Sequence, residues 1–339
     1  MRLCVFGAGA VGGYLAARLL ASGQHEVSVV ARGEQLRAIA AGGITLVTPE
    51  ETLVVRPALV TDRAQALPPQ DVVFVTLKAH SQPAAAQDMA ALLGPAGTAV
   101  FLNNGIPWWW HHRGPAVPGE PLPLLDPTGA LWNAVRPQRA LGGVVYSANE
   151  VLRPGVVQHT ANNRWVLGEP GGGLSQRLRV ITGLLCGAGL NAEAGPDIRT
   201  EVWAKLLRNA PMNALCALTR LPVNQLAFEP ALLGMYEAVI DEVAAVAAAH
   251  GADLSDRIAV AKSAPRLGAA VDGRAAPVIR PSMLQDTVLG RGMEIEPILG
   301  QVQAFARAAG TACPVLDLLL PLLRGLDRSA GFTAACARP

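Results

Sequence analysis

The sequence predicts an α/β amino-terminal domain followed by an all-α carboxyl-terminal domain, and three observations predict it. A short apolar strand at residues 2–6 runs directly into a glycine-rich turn and then a helical pattern. Strand and helix signals alternate through the first half. From Leu174 onward strand signals nearly vanish and helical periodicity takes over. At 339 residues the chain is long enough for two domains with substantial cores. Glu169-Pro-Gly-Gly-Gly173 forms a natural joint, giving domains 1–170 and 171–339.

The first strand, RLCVF, leads into Gly7-Ala8-Gly9-Ala10-Val11-Gly12, then Gly13 and the helical pattern YLAARLLAS. This is G-x-G-x-x-G in the strand, turn and helix context that a Rossmann dinucleotide-binding unit requires. Gly7 permits the tight turn and Gly9 lets backbone approach a pyrophosphate. Gly12 lets the helix pack on the strand, and the helix amino terminus supplies donors to the anion.

A second strand, EVSVVA at 26–31, ends at Arg32. An NAD-binding unit usually places Asp or Glu here for the ribose 2′-hydroxyl, whereas an arginine suits a 2′-phosphate, so NADP(H) is the expected cofactor. The alternative is an ordinary loop arginine, with Glu34 in the acidic role. Strand segments follow at 44–47 and 53–55, then the apolar strand DVVFVTL, ending at Lys78. A residue just past the carboxyl end of a parallel strand faces the ligand crevice, which places Lys78 near cofactor phosphate or substrate. A helix-start lysine in water is the plainer alternative. A helix to Leu93 and a strand at 98–102 lead to Asn103-Asn104-Gly105, at another carboxyl edge, where Asn-Gly also reads as a simple turn.

The alternation breaks from Ile106 to Pro137. Pro107, Trp108–Trp110, His111-His112 and the prolines up to Pro127 indicate an ordered loop. The histidine pair has no third ligand at a sensible spacing, so no metal is expected. The tryptophans suit capping a pocket or packing on the sheet better than binding nucleic acid. Strands return at 142–147, 155–160 and 165–168.

In the second half, helices are expected near 174–188, 197–219, 231–250, 254–264, 282–291, 294–309 and 314–326, punctuated by Gly251, Pro277, Pro281 and Pro314. A helical domain behind a nucleotide domain is a common dehydrogenase arrangement, with the active site expected between the two. Within EVWAKLLRNAPMN, Lys205, Asn209 and Asn213 are each four apart. That step turns about 40° past a full revolution and rises about 6 Å, so an ammonium and two amides share one stripe. Their donors match the oxygens of a small oxo-acid; a solvated helix face is the bland alternative. Pro211 removes one backbone bond and should kink the helix or end it early. Downstream, Ser282 reads as an N-cap, Asp286 follows in the next turns, and Glu294 and Glu296 open a further helix.

Composition narrows the function. A hydrophobic fraction of 51% with 16% charged residues fits a well-buried globular protein, not a disordered one. The net charge of +2, without a basic run interleaved with aromatics, gives no support to nucleic-acid or membrane-surface binding. Cys4, Cys186, Cys216, Cys313 and Cys336 are scattered without a C-x-x-C pair, favouring free thiols in a reducing compartment. With a strand at the amino terminus in place of a signal peptide and no run near the ~20 apolar residues of a membrane span, a cytoplasmic location is expected. Lysine occurs only at Lys78, Lys205 and Lys262, which suggests that it survives where a compact ammonium is needed.

Taken together, GAGAVG at 7–12, Arg32, Lys78, NNG at 103–105, KLLRNAPMN at 205–213 and SMLQD with Glu294 resemble the ketopantoate reductase family (2-dehydropantoate 2-reductase), along nearly the whole chain. The resemblance implies a Rossmann domain followed by a helical domain like those of 6-phosphogluconate dehydrogenase relatives, and NADPH-dependent reduction of a small 2-oxo acid. By matching position it implies Lys205 as general acid and Asn209, Asn213 and Ser282 as substrate contacts. Asn104 would lie between nicotinamide and substrate, and Glu294 near the nicotinamide ribose. Arg32 and Lys78 would hold the adenosine phosphate region and Ala148 would touch the cofactor.

The chemistry agrees: hydride arriving at a ketone carbon develops negative charge on oxygen, which a nearby ammonium stabilises and then protonates. Several positions depart from the family pattern. Gln-Asn-Gly is usual where Asn103-Asn104-Gly105 stands, and a polar substrate contact often precedes the serine, where Ile279 and Arg280 stand here. The Trp-rich loop is longer than in the shortest members, and Pro211 is unusual. These leave the reaction type intact and the substrate open, with Arg280 suited to a second carboxylate. A related reductase or opine-type dehydrogenase acting on another oxo acid is therefore the alternative, and an NADP-binding protein without turnover a third. The apolar carboxyl-terminal helices serve equally well as a homodimer face or as a monomer core.

Overall fold

The computed structural model describes residues 1–114, 119–226, 228–263, 279–329 and 331; Pro115, Pro118, Pro277 and Cys336 lie outside the described residues. The chain divides into two compact units, Met1–Asn103 with Pro107–Ile198, and Asn104–Ile106 with Arg199–Pro339.

The first unit is built on β1 (Arg2–Phe6), α1 (Ala10–Ala21), β2 (Glu26–Val30), α2 (Gly33–Gly42), β3 (Ile44–Val47), β4 (Thr52–Val55), β5 (Val60–Thr61), β6 (Gln70–Val75), α3 (Ala86–Leu92), β7 (Leu93–Phe101), α4 (Ala130–Ala134), β8 (Ala140–Arg153), β9 (Val156–Gly168), α5 (Gln176–Gly187) and β10 (Asn191–Ala194). One sheet orders them β4-β3-β9-β8-β7-β6-β1-β2-β5, with β10 also on β9. From β5 to β8 every neighbouring pair is parallel, the doubly wound Rossmann arrangement. Parallel strands are covered on both faces, which is why β1 and β6 are near-continuous apolar runs rather than alternating ones.

Beyond β8 the sheet departs from the expected short strands. β8 and β9 form one long antiparallel hairpin turning at Pro154-Gly155, where Gly155 has φ +78°. The stretch 161–164, left between two expected strands, is in fact paired to β8 across a shifted register, Ala148 opposite Ala161 and Tyr146 opposite Arg164. Asn191–Ala194, a strand that helix-favouring residues conceal, adds to the outer edge of β9. Residues 171–198 therefore continue the first unit: Leu178, Ile181, Leu185 and Leu190 share a buried cluster with Leu3 and Trp165.

The tryptophan loop also belongs to this unit. Trp108–Trp110 are all buried, and Trp108 stands edge-on to Phe101 of β7 at 5.2 Å. A Cβ on Gly142 would run into the Trp109 ring, so β8 leaves space for that indole. Of the two expected roles, packing on the sheet is the one observed. Asp126, fully buried, caps α4 by accepting from the N–H groups of Leu131 and Trp132.

The second unit holds α6 (Ile198–Thr219), α7 (Val223–Leu226), α8 (Pro230–Ala249), α9 (Ser255–Ser263), α10 (Ser282–Val288), a π turn (Glu296–Gly300), α11 (Gln301–Ala309) and α12 (Pro314–Ser329), and no strand among the described residues. Of the two effects expected of Pro211, a kink or an early end, the early end does not occur: α6 runs on to Thr219, and Leu207, Ala210, Ala214 and Cys216 around the proline are buried, so packing outweighs the lost backbone bond. Trp203 of α6 meets His250 and Phe305 at 6.2 and 6.1 Å, joining α6, the end of α8 and α11. No helix of the described residues is long and apolar enough to cross a membrane.

Candidate active site

In the first unit the glycine turn, Arg32 and Lys78 follow the carboxyl ends of the parallel strands β1, β2 and β6, whereas Ala148 lies within β8. Gly7 follows β1 with φ +111°, beyond the reach of ordinary side-chain-bearing residues. The Thr76 hydroxyl, just past β6, donates to the Gly7 carbonyl at 2.6 Å. A Cβ on Gly12 would strike both the Gly7 carbonyl oxygen and Thr76 Oγ1, so the helix closes on the strand only because Gly12 lacks one. Gly9 is different: a Cβ there meets nothing within 4 Å. Gly9 caps α1 without a side-chain bond, and no acidic residue stands in the first turn. The opening amides of α1, beside Ala8, Ala10 and Val11, thus face an approachable space with the polarity an anion needs. These residues fit a dinucleotide pyrophosphate.

Sequence reasoning missed what braces this turn. Gln35 of α2 donates to the Ala8 carbonyl at 2.8 Å and accepts from the Gly155 N–H at 2.6 Å, tying the glycine turn to the β8–β9 hairpin. Nothing local in the sequence signals a contact spanning 120 residues. Arg32 is exposed just beyond β2, and Glu34 is exposed, 4.0 Å from Arg37. Lys78 is half-buried at the start of a short 3₁₀ turn after β6. Ala148 is exposed in β8 at the register shift.

In the second unit the other expected residues form two groups. The first centres on Lys205 of α6, whose ammonium donates to Asn104 Oδ1 at 2.6 Å. Asn104 Nδ2 donates to Glu294 Oε2 at 3.3 Å, and Glu294 is only 6% exposed. Burial pulls the Lys205 ammonium down from 10.5 to about 8, against the opposing pull of the Glu294 charge. The second group centres on Asn213, 2% exposed. Its Oδ1 accepts from Ser282 Oγ at 3.1 Å and from the Met283 N–H at 2.9 Å, while its Nδ2 donates to the Asn209 carbonyl at 2.9 Å. Asn213 thus caps α10 from outside, holding Ser282 in place. Asn209 is half-buried on α6, one turn beyond Lys205. Asp286, read only as following Ser282, is buried and ion-paired to Arg291 at 3.1 Å. Asp327 of α12, absent from the sequence reading, accepts the Met293 N–H at 3.0 Å and so fixes the backbone beside Glu294.

A glycine turn that fits a dinucleotide and, in the second unit, a buried lysine pulled down to about 8 suit a nicotinamide-dependent oxidoreductase. The comparisons carry this further. Residues 3–172 match the model for ketopantoate reductase PanE/ApbA, and residues 197–327 match the model for its carboxyl-terminal domain. The chain belongs to the ketopantoate reductase family. It is 37% identical to a 2-dehydropantoate 2-reductase from Mesorhizobium japonicum over 98% of this chain and 99% of the relative. A crystal structure from Ralstonia solanacearum MolK2, with a provisional ketopantoate reductase assignment, superposes with a TM-score of 0.89 at 33% identity, covering 98% and 99% of the two chains. A D-mandelate dehydrogenase solved with NADH and anilino(oxo)acetate shares the fold, with a TM-score of 0.82 at 22% identity over 98% and 100%.

Proposed function

We propose that the protein reduces 2-dehydropantoate to pantoate with NADPH. The observation that carries the reading is the Lys205–Asn104–Glu294 chain: a proton donor whose burial holds it near 8, oriented by an amide that a buried carboxylate fixes in turn. When bound, NADPH would supply the hydride that the ketone carbon needs. Lys205 meets the oxygen on which negative charge develops, stabilises it as an ammonium and gives it a proton, leaving a neutral amine. Asn104 holds the Nζ in line, with Glu294 fixing the amide and favouring the charged ammonium before transfer. Asn209 and Ser282 orient the substrate's carboxylate and hydroxyl. We read Asn213 as a positioning residue, because its oxygen and one amide hydrogen are already committed to protein.

NADPH over NADH is supported by Arg32, exposed where a 2′-phosphate would meet it. Arg32→Ala should raise KM for NADPH about tenfold or more while changing KM for NADH little, the loss expected for a charge-assisted phosphate contact. A second reading, the same reaction on a different 2-oxo acid, is favoured by Ile279 and Arg280, both exposed just before Ser282. A panel of 2-oxo acids followed by NADPH oxidation separates the two. The highest kcat/KM on 2-dehydropantoate supports the first reading, and a clear preference for a dicarboxylic oxo acid overturns it in favour of the second.

A further inference from the structure

The position of Asn104 is set at a distance. Glu294 is followed by the π turn Glu296–Gly300, in which the Gln301 N–H bonds the Glu296 carbonyl, five residues back. Such turns are rare and shift a helix by one residue, often beside functional groups. This one is braced from α12: Arg324 Nε donates to Glu296 Oε1 at 2.8 Å and Nη2 to Oε2 at 2.7 Å. On its other side, the Pro297 carbonyl accepts the Ile106 N–H at 2.8 Å. Gly105 lies against the same carbonyl with φ +78°, and a Cβ there would overlap it. The turn bearing Asn104 is therefore pinned by its backbone to Pro297 and by its side chain to Glu294 and Lys205.

The geometry points to the π turn, clamped by the Glu296–Arg324 pair, as the device that sets Asn104 against the Lys205 ammonium. Glu296, Pro297 and Arg324 are positioning residues: they act through the Asn104 turn. The kinetic part of this inference rests on the reading of Lys205 as proton donor, whereas the placement does not. Asn104 Oδ1 accepts from the ammonium and so favours its charged form. If the π turn relaxes, that bond lengthens, its support for the charged form is lost, and the ammonium's pKa falls.

The test uses the three lysines of the chain. Lysine labelled with ¹³C at Cε gives three titrating signals, with Lys205→Met assigning the one of interest. In Arg324→Met, the Lys205 midpoint should fall by about half a pH unit or more, the direction expected when a hydrogen bond to the charged form is lost. Turnover of the oxo acid should drop about tenfold with cofactor KM unchanged, as for a misplaced catalytic group, and Arg324→Lys should recover part of both. Gly105→Ala, which pushes on the same contact from the other side, should move the midpoint in the same direction. A Lys205 midpoint that stays put in either variant, with melting still cooperative, overturns the inference. A midpoint that moves while the parent protein reduces no 2-oxo acid upholds the positioning device and sinks the proposed reaction instead.

Discussion

Lys205 Nζ lies 2.6 Å from Asn104 Oδ1, joining residues 101 positions apart in sequence. An isolated ammonium at the same depth would lose its proton more readily still, because burial alone favours the neutral amine. On the role proposed for Lys205, the amide, with Glu294 behind it, would keep the proton in place until a stronger base appears. Reduction of a ketone would supply that base, since an alkoxide is far more basic than an amine.

The pH dependence of turnover follows. Reduction needs the ammonium, so kcat should be level below pH 8 and fall towards tenfold per unit above it, with a midpoint near the Lys205 value of about 8. Lys205→Ala should lower kcat by about 10²–10⁴ while cofactor Kd stays within twofold, the range for loss of a positioned proton donor. The checks are a kcat–pH profile and a fluorescence titration with the cofactor. Near-normal turnover in Lys205→Ala removes the assigned role.

The same shift has a stability consequence with a definite sign. The folded ammonium titrates at about 8 and the unfolded one at 10.5, so between these values the unfolded chain binds more protons. Stability contributed at this site must therefore rise with pH across that window and be lowest below pH 8. A 2.5-unit gap corresponds to roughly 3 kcal/mol, an upper figure for this half-buried residue. Lys205→Met should be more stable than the parent at pH 7, with the difference shrinking by pH 10. Urea melts at both pH values provide the comparison, and an equal or lower midpoint for the variant at pH 7 contradicts it.

Asn213 makes a separate prediction. Asn213→Ala removes the acceptor for Ser282 Oγ and for the Met283 N–H, at a site that is 2% exposed. Leaving a buried donor without its acceptor costs about 1–3 kcal/mol. The melting temperature should fall by several degrees, and KM for the oxo acid should rise more than kcat falls, because Ser282 is displaced while Lys205 stays. An unchanged KM in the folded variant would falsify the positioning role.

How much of this was legible in the sequence depends on the range of each contact. The glycine turn, the Arg32 and Lys78 positions and the Lys205 stripe are local, since one strand–turn–helix or one helical period defines them. Asn104-Gly105 was legible as a pair without its reason: only the approach of Pro297 shows why no side chain fits at 105. Gln35, Arg324 and Asp327 were invisible, and Glu296 was read only as opening a helix, because each acts on backbone or a partner far along the chain. The strand at 191–194 was missed because Asn-Ala-Glu-Ala has helical propensity, which pairing with β9 overrides. Residues 161–164 fell outside the expected strands because the usual alternation is blurred where the β8–β9 register shifts.

Gly9 and Gly12 separate binding from folding. A Cβ on Gly9 meets nothing within 4 Å, whereas one on Gly12 collides with the Gly7 carbonyl and the Thr76 hydroxyl. Gly9→Ala should therefore leave the melting temperature within about a degree of the parent, and α1 gains slightly from the reduced freedom of the unfolded chain. If the pyrophosphate approaches the backbone here, the same methyl stands in its way, so cofactor Kd should rise about tenfold or more, the cost of losing charge-assisted bonds to backbone donors. Gly12→Ala should lose both, because α1 cannot close on β1 without moving Thr76. Differential scanning calorimetry with and without NADPH reads the two effects together: the cofactor-induced rise in melting temperature should shrink in Gly9→Ala while its baseline stays put. A Gly9→Ala protein that binds NADPH as the parent does would mean that the phosphates lie elsewhere than over this turn.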